Sequence, residues 1–326
     1  MPLNRRDFLK ITALAGVALG LGAPIVRYLL NQGSLKKIAA THYLMGTIVN
    51  FVLIAESEEQ AQAALQTTTE KMLHLIQIYD HRRLDGPLGQ LNAIGITLHP
   101  PRELVATLQQ SLRYGLLSHG AFDVTIKPML DALQANRSPI EELKNLVDYR
   151  LLNVTDDKIT LARPGMSVTL DGIAKGCVVD GGVATLRELG FENVLVEAGG
   201  DMMAKSTQDG EVWEVGITHP RAPKEMIAVI SIQNQAVATS GDYMNYFNAD
   251  YSTHHIVDPH TGRSPSQLAS ATVVAPSVAE ADALSTTMMV LGMQDGLALM
   301  ESLPDASALL ISKDLQMVRS SKFPIG

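Results

Sequence analysis

The spacing of apolar residues divides the chain into long helical stripes and short strand-like runs. Ala61, Ala64, Leu65, Met72, Leu73, Ile76 and Tyr79 recur at helical spacing, which predicts a helix over Glu58–Tyr79. Leu104, Leu108, Leu112 and Leu116 stand four apart and predict a second helix over residues 101–118. A third should run from Ala174 towards Leu189, and a fourth over residues 279–291, where Gly292 stops it before a short helix at 296–302. Runs at residues 48–54, 193–197, 212–217, 226–232, 236–240, 271–275 and 308–311 read as strands, and residues 151–161 as a hairpin around Asp156-Asp157. A short apolar strand over 167–170 is expected to feed the third helix. The strands come in runs with antiparallel-style turns, so the expected class is α+β with mixed or antiparallel sheets and long helices, not a doubly wound parallel sheet.

The N-terminus breaks this pattern. Arg5-Arg6, then Phe8-Leu9-Lys10 and a weakly hydrophobic run over residues 11–26, resembles a twin-arginine export signal. No convincing small-residue cleavage site follows, so an uncleaved signal that also acts as an anchor stays open beside it. Residues 1–30 are assigned to this signal, 31–41 to a linker and 42–326 to one folded domain. The domain is expected in the periplasm, free or tethered, with no other contact to the membrane. A net charge of −8 provides no basic footprint for nucleic acid. The single cysteine, Cys177, excludes an intrachain disulfide and a cysteine-only metal site.

Four stretches carry candidate chemistry. Asp171-Gly-Ile-Ala-Lys-Gly176 places glycines, an ammonium and a carboxylate at a helix N-terminus, where anions are favoured. Asp282 and Thr286 stand at i and i+4 on a predicted helix and share a face. A carboxylate with a hydroxyl suits Mg²⁺, which takes few protein ligands and completes its shell with water and phosphate. His254 and His255 precede Asp258-Pro259, and a histidine is the usual proton carrier near neutral pH. Ser240-Gly-Asp242-Tyr243 offers a hydroxyl and a carboxylate at a strand end. Each stretch alone also reads as ordinary structure: turn glycines, a solvent-facing helix carboxylate, a packed histidine.

Taken in order, the motifs are more specific. Met45-Gly-Thr, Gly120-x-Phe-Asp-Val-Thr-Ile-x-Pro128, Asp171-Gly-Ile-Ala-Lys-Gly176, Gly199-Gly-Asp201, Ala238-Thr-Ser-Gly-Asp-Tyr243, His255-Ile-Val-Asp-Pro-x-Thr-Gly262 and Ala281-Asp-Ala-Leu-Ser-Thr286 together resemble the ApbE family of FAD:protein FMN transferases, over residues 41–312. The resemblance implies a T-fold-like α+β domain around a flavin cleft. It implies Mg²⁺-dependent transfer of FMN from FAD to a threonine or serine of a target protein, with AMP released. The expected acceptor is a respiratory membrane subunit or a periplasmic flavin domain. Asp282 and Thr286 would be metal ligands, with a backbone carbonyl at or next to Ala174. Met45, Asp171, Gly172, Lys175, Gly176, Asp201 and Ser240 would line the FAD pocket. His255, or else Asp242, would take the acceptor proton. One stretch departs from the family pattern: Leu84-Asp-Gly-Pro-Leu-Gly89 lacks a Ser-Glu pair that many members carry before Asn92. Two alternatives stay open on these residues, an FAD pyrophosphatase using water as acceptor and a non-catalytic flavin-binding maturation protein.

Overall fold

The computed structural model describes residues 25–32, 35–135, 140–207 and 212–324. The twin-arginine motif and its apolar run up to residue 24 lie outside the described residues. The chain opens with strands β1 (Ile25–Gln32), β2 (Leu35–Leu44) and β3 (Thr47–Ala55), followed by helices α1 (Glu58–Tyr79) and α2 (Pro87–Ile94). Strand β4 (Ile96–Leu98), helices α3 (Arg102–Leu117) and α4 (Lys127–Gln134), and strands β5 (Leu152–Val154) and β6 (Lys158–Leu161) come next. Helix α5 (Ala174–Glu188) leads to β7 (Val194–Ala198), β8 (Asp201–Lys205), β9 (Trp213–His219), β10 (Ala222–Ile232) and β11 (Ala236–Gly241). Strand β12 (Leu268–Ala275), helix α6 (Val278–Ser302), and strands β13 (Ser307–Ser312) and β14 (Met317–Arg319) complete the fold.

Nine strands form one sheet in the order β1-β2-β3-β7-β8-β11-β12-β13-β14. Every pairing in it is antiparallel, as the expected α+β class requires. Alternate strand residues face opposite sides. Ala236, Ala238, Val273 and Leu310 point into the core shared with the helices. Val237, Val274, Leu309 and Ile311 point the other way, where Trp213, Val215, Ile217, Ile230 and Ile232 of the separate β9–β10 hairpin cover them. The sheet is therefore buried on both faces, which is why β12 is buried at every position.

The sheet begins earlier than the apolar pattern indicates. Residues 35–41, assigned to a linker, belong to β2, which pairs with β3 from Lys36↔Ala55 to Leu44↔Thr47. Residues 25–30, assigned to the signal, pair with β2 through their backbone. Lys36-Lys37 hides the strand from a pattern search, yet Lys37 is buried with its ammonium 4.7 Å from the centre of the Trp213 ring. Residues 167–170, expected as a strand, join no sheet. The backbone of Val168 is held by a side chain instead: Asn92 Nδ2 donates to Val168 O at 2.8 Å and Val168 N donates to Asn92 Oδ1 at 2.7 Å, while Thr169 N donates to Val124 O at 2.9 Å. Asn92 sits on α2, a helix where the sequence shows only a polar loop. Proline at its first turn and Gly95 at φ 83° bound that helix. A β-carbon at Gly89 would fall on the Arg83 carbonyl, so the tight winding of 83–89 admits no side chain at that position.

Two helices set the geometry of everything that follows. Gly176 of α5 lies against the start of α6, where a β-carbon would stand 2.5 Å from Val278 O and 2.6 Å from Ala279 Cα. Asp180, one turn further along α5, accepts from Val278 N and Ala279 N, each at 2.9 Å, and so caps α6 from outside. Ser277 adds its own cap to Glu280 N at 3.2 Å.

Because both contacts at Gly176 are to backbone, Gly176→Ala should lower unfolding free energy by about 3 kcal/mol, at the upper end of ordinary overpacking costs. Asp180→Asn should cost about 1 kcal/mol. Urea unfolding of the two variants measures both, and equal, small losses would show that the helix crossing tolerates a methyl group.

Candidate active site

The crossing of α5 and α6 places two helix faces beside the ends of β8 and β11, and a cleft of about 790 Å³, counting its open mouth, lies between them. Asp171, Gly172, Lys175, Ser240, His255, Asp282 and Thr286 all line it. The sequence therefore named seven residues that the fold brings together from four separate stretches. Gly172 keeps this wall uncrowded: a β-carbon there would lie 3.3 Å from Thr286 Oγ1 and 3.2 Å from the Phe122 ring.

Charge in the cleft is arranged around one lysine. Lys175 Nζ stands 2.9 Å from Asp201 Oδ2, and Asp201 is 1 % exposed. Burial works to lower the Lys175 ammonium, but Asp201 and Asp282 more than offset it and the group is raised, so it is a permanent cation. Asp201 follows Gly199-Gly200, whose φ values of 58° and 98° turn β7 sharply into β8. Glu197 holds that turn by accepting from Gly200 N at 2.6 Å and from Asn50 Nδ2 at 2.6 Å.

Asp282 accepts from Gly176 N at 3.1 Å. Burial, and then the neighbouring Asp201, push its carboxyl up to about 8. Ser240 Oγ is 2.7 Å from Ser285 Oγ and 3.2 Å from Thr286 Oγ1. This corner is thus a carboxylate short of positive charge with hydroxyl oxygens beside it. Its donors are all oxygen, which fits a hard cation such as Mg²⁺. Among the described residues no three His, Cys, Asp or Glu side chains gather to hold a metal. The corner therefore suits an ion that keeps water and substrate oxygens, not one enclosed by protein.

The histidine pair splits, with one ring packed inward and the other turned to the cleft. His254 is fully buried, with Nε2 3.1 Å from Pro265 O. His255 turns to the cleft, and its Nδ1 lies 3.2 Å from Asn245 O. A carbonyl can only accept, so Nδ1 carries the proton and Nε2 keeps its lone pair for the cleft. Burial pushes His255 down to about 4, which keeps the ring neutral at physiological pH.

Five of the named residues lie elsewhere. Asp242 is the clearest correction. Its carboxylate is fully buried and held by Arg221 at 2.7 and 2.8 Å, with Lys313 at 3.3 Å; two cations leave it no part as a base. Gly176 serves the helix crossing and donates its amide to Asp282, so its lack of a side chain admits α6 and not a ligand. Met45 occupies the β2–β3 turn at φ 53° and packs on the main core. Ala174 is the first residue of α5, and Asp201 stands behind Lys175; neither lines the cleft. Sequence reasoning passed over Phe122 and Asp123, both in the cleft wall. Asp123 is buried and accepts from Thr125 N, Thr125 Oγ1 and Tyr149 N. Its place inside Gly120-x-Phe-Asp-Val-Thr125 was the available signal. His81, 3.9 Å from Asp171, had none.

The chain matches the model of the ApbE family over residues 45–310, and that of the twin-arginine translocation pathway signal sequence over residues 2–22. It is 31% identical over 280 residues to a FAD:protein FMN transferase of Vibrio cholerae, covering 79% of this chain and 82% of that protein. Its fold is similar to the crystal structure of the ApbE protein of Thermotoga maritima, with a TM-score of 0.79 and 26% identity over 88% of this chain and 98% of that one. The apo form of the Pseudomonas stutzeri flavinyl transferase ApbE matches with the same TM-score and identity, over 90% and 97%.

The raised Asp282 carboxyl sets a pH dependence. Its contribution to stability is complete below the ordinary carboxylate range, about pH 4, and is lost as pH rises through about 8. Melting temperatures measured in a chelator from pH 5 to 9 should therefore fall less steeply in Asp282→Asn than in the parent protein. Added Mg²⁺ should stabilise the parent near pH 8 and leave the variant unmoved. Parallel curves with and without the substitution would remove Asp282 as the cation-seeking group.

Proposed function

The chain belongs to the ApbE family, and from that premise we propose that it moves FMN from FAD to a threonine or serine hydroxyl of a second protein, releasing AMP, in a Mg²⁺-dependent reaction. The observation that carries this reading is the convergence of three chemistries in one cleft: the oxygen donors Asp282 and Thr286, the ammonium of Lys175, and the neutral imidazole of His255. A pyrophosphate substrate needs the first two, and an incoming hydroxyl needs the third.

Asp282 and Thr286, with a carbonyl near Ala174, would hold Mg²⁺. When bound it supplies Lewis-acid polarisation of pyrophosphate oxygens and offsets charge on the departing AMP. The remaining work belongs to the chain. Lys175 faces the substrate's phosphates with a fixed positive charge. Phe122 and Gly172 shape the wall beside them. Nε2 of His255 takes the proton of the acceptor hydroxyl as that oxygen attacks the phosphorus on the FMN side, in line with the AMP oxygen. Most of the rate enhancement asked of this site is positioning and charge screening, as in phosphoryl transfer generally.

The twin-arginine match supports export of the folded protein. We place the mature domain in the periplasm, free or held at the membrane by an uncleaved signal. The acceptor there would be a respiratory membrane subunit or a periplasmic flavin domain. The deciding experiment mixes mature protein, FAD, Mg²⁺ and a flavin domain bearing an acceptor threonine, and weighs the acceptor by mass spectrometry. A gain equal to FMN supports the transferase; FMN and AMP free in solution with an unmodified acceptor would make the protein a pyrophosphatase.

His255→Ala should lower single-turnover transfer by about a hundredfold, the scale of a lost general base, with FAD affinity nearly unchanged. His254→Ala is the control: as a packed residue it should lower the melting temperature and spare the rate. Equal effects at the two positions would end the catalytic assignment. Independently, replacing Arg5 and Arg6 with lysine should leave the protein in the cytoplasm by cell fractionation; normal periplasmic amounts would point to a different export route.

A further inference from the structure

Asp242 is withdrawn from the cleft, yet its surroundings form a built junction beside the candidate base. Besides the Arg221 fork and Lys313, its backbone N–H donates to Ala269 O at 3.0 Å. Arg221 comes from the turn between β9 and β10, and Lys313 directly follows β13. Both cations also reach Tyr251. The Arg221 guanidinium lies 4.6 Å from the centre of the Tyr251 ring, and Lys313 Nζ donates to Tyr251 O at 2.9 Å.

Tyr251, with a left-handed φ of 59°, stands at the tip of the loop that starts directly after Asp242 and returns to His255. Phe247 N donates to Thr253 O at 2.8 Å across that loop, and His255 N donates to Asn245 O at 2.9 Å. The same Asn245 carbonyl takes the Nδ1 proton of His255. The return side has an anchor of its own: His254 N donates to Ser264 Oγ at 2.9 Å, and Ser264 Oγ donates to His254 O at 2.8 Å. What the Asp242 junction adds is control of the outgoing side and the tip, and so of the carbonyl that decides which ring nitrogen of His255 is protonated.

We propose that Asp242 is a positioning residue: by clamping Arg221 and Lys313 onto Tyr251 it fixes the 243–253 loop so that Asn245 O holds the His255 ring with a free Nε2 towards the cleft. This rests on the reading of His255 as the base. A loop free to shift would let the ring exchange tautomers or turn away, and a misplacement of about an ångström at a reacting group is enough to cost catalysis heavily. Arg221 and Lys313 reach the site only through this clamp, and their own distance from the cleft is immaterial to it.

The test has two arms. In the first, mature protein labelled with ¹⁵N-histidine is compared with its Asp242→Asn and Arg221→Gln variants by long-range proton–nitrogen correlation, with His255→Ala identifying the signal. The parent should show one Nδ1-protonated tautomer for His255 and the variants a mixture. A single unchanged tautomer in folded variants would overturn the proposal. In the second arm, FMN transfer to the threonine-bearing flavin domain is measured in single turnovers for a double-mutant cycle with His255→Ala. Each clamp variant should lose about tenfold or more in rate, with FAD affinity within about twofold, and should lose nothing further once His255 is alanine. The same loss in both backgrounds would overturn the clamp as a device acting through His255. Should Asp242→Asn fail to fold, Arg221→Gln decides, because Asp242 then keeps Lys313 as its counterion. If His255→Ala itself leaves transfer unchanged, the base reading falls, while the tautomer arm still judges the clamp.

Discussion

The close crossing of α5 and α6 is the contact on which the site depends. It exists because position 176 has no side chain, and it is locked by a carboxylate from one helix capping the other. A helix start carries unpaired amides, and here Asp180 satisfies two of them across the interface, joining packing to register. Once α6 is set against α5, Asp282 and Thr286 must face Gly172 and Lys175. The amide of Gly176 then has a second use, as a donor to the carboxylate. The same residue thus admits the neighbouring helix and orients the group that awaits a cation.

Electrostatics make this corner unfinished without a ligand. Asp201 already has Lys175 as its partner, so the positive charge nearest to Asp282 is largely spoken for. Burial then drives Asp282 towards its protonated form. A divalent cation with an anionic substrate would relieve both the carboxylate and the surplus of oxygen donors around Ser240 and Thr286. The arrangement stores a preference for being filled, in keeping with perturbed groups marking functional sites. Behind the cleft the logic is reversed: Asp242 is fully satisfied by two cations and supports its neighbours without taking part.

Local pattern alone decided a good deal. The stripe over residues 58–79 became a helix with those bounds, because its buried face repeats at the helical period. The break at Gly292 appeared where a glycine interrupts the last long helix, with φ 77° inside α6. The i, i+4 spacing of Asp282 and Thr286 placed both on one face before any fold was known. Strand β2, helix α2 and the lack of sheet pairing at 167–170 were not legible in this way. Lysines interrupt β2, too few apolar residues mark α2, and a side chain on a distant helix takes both backbone bonds of Val168.

What the sequence by itself determined is therefore whatever depends on neighbours a few residues away: element types, shared helix faces, strand alternation, and the set of residue types able to meet a pyrophosphate. Only the tertiary structure decided which of those residues meet. Two carboxylates that look alike along the chain, Asp242 and Asp282, came to opposite ends, one enclosed by Arg221 and Lys313 and the other left facing a cleft. The difference lies in side chains brought from the β9–β10 turn and from the end of β13, and no local spacing carries that information. Burial and distant charge, which set how a carboxylate behaves, are properties of the folded chain.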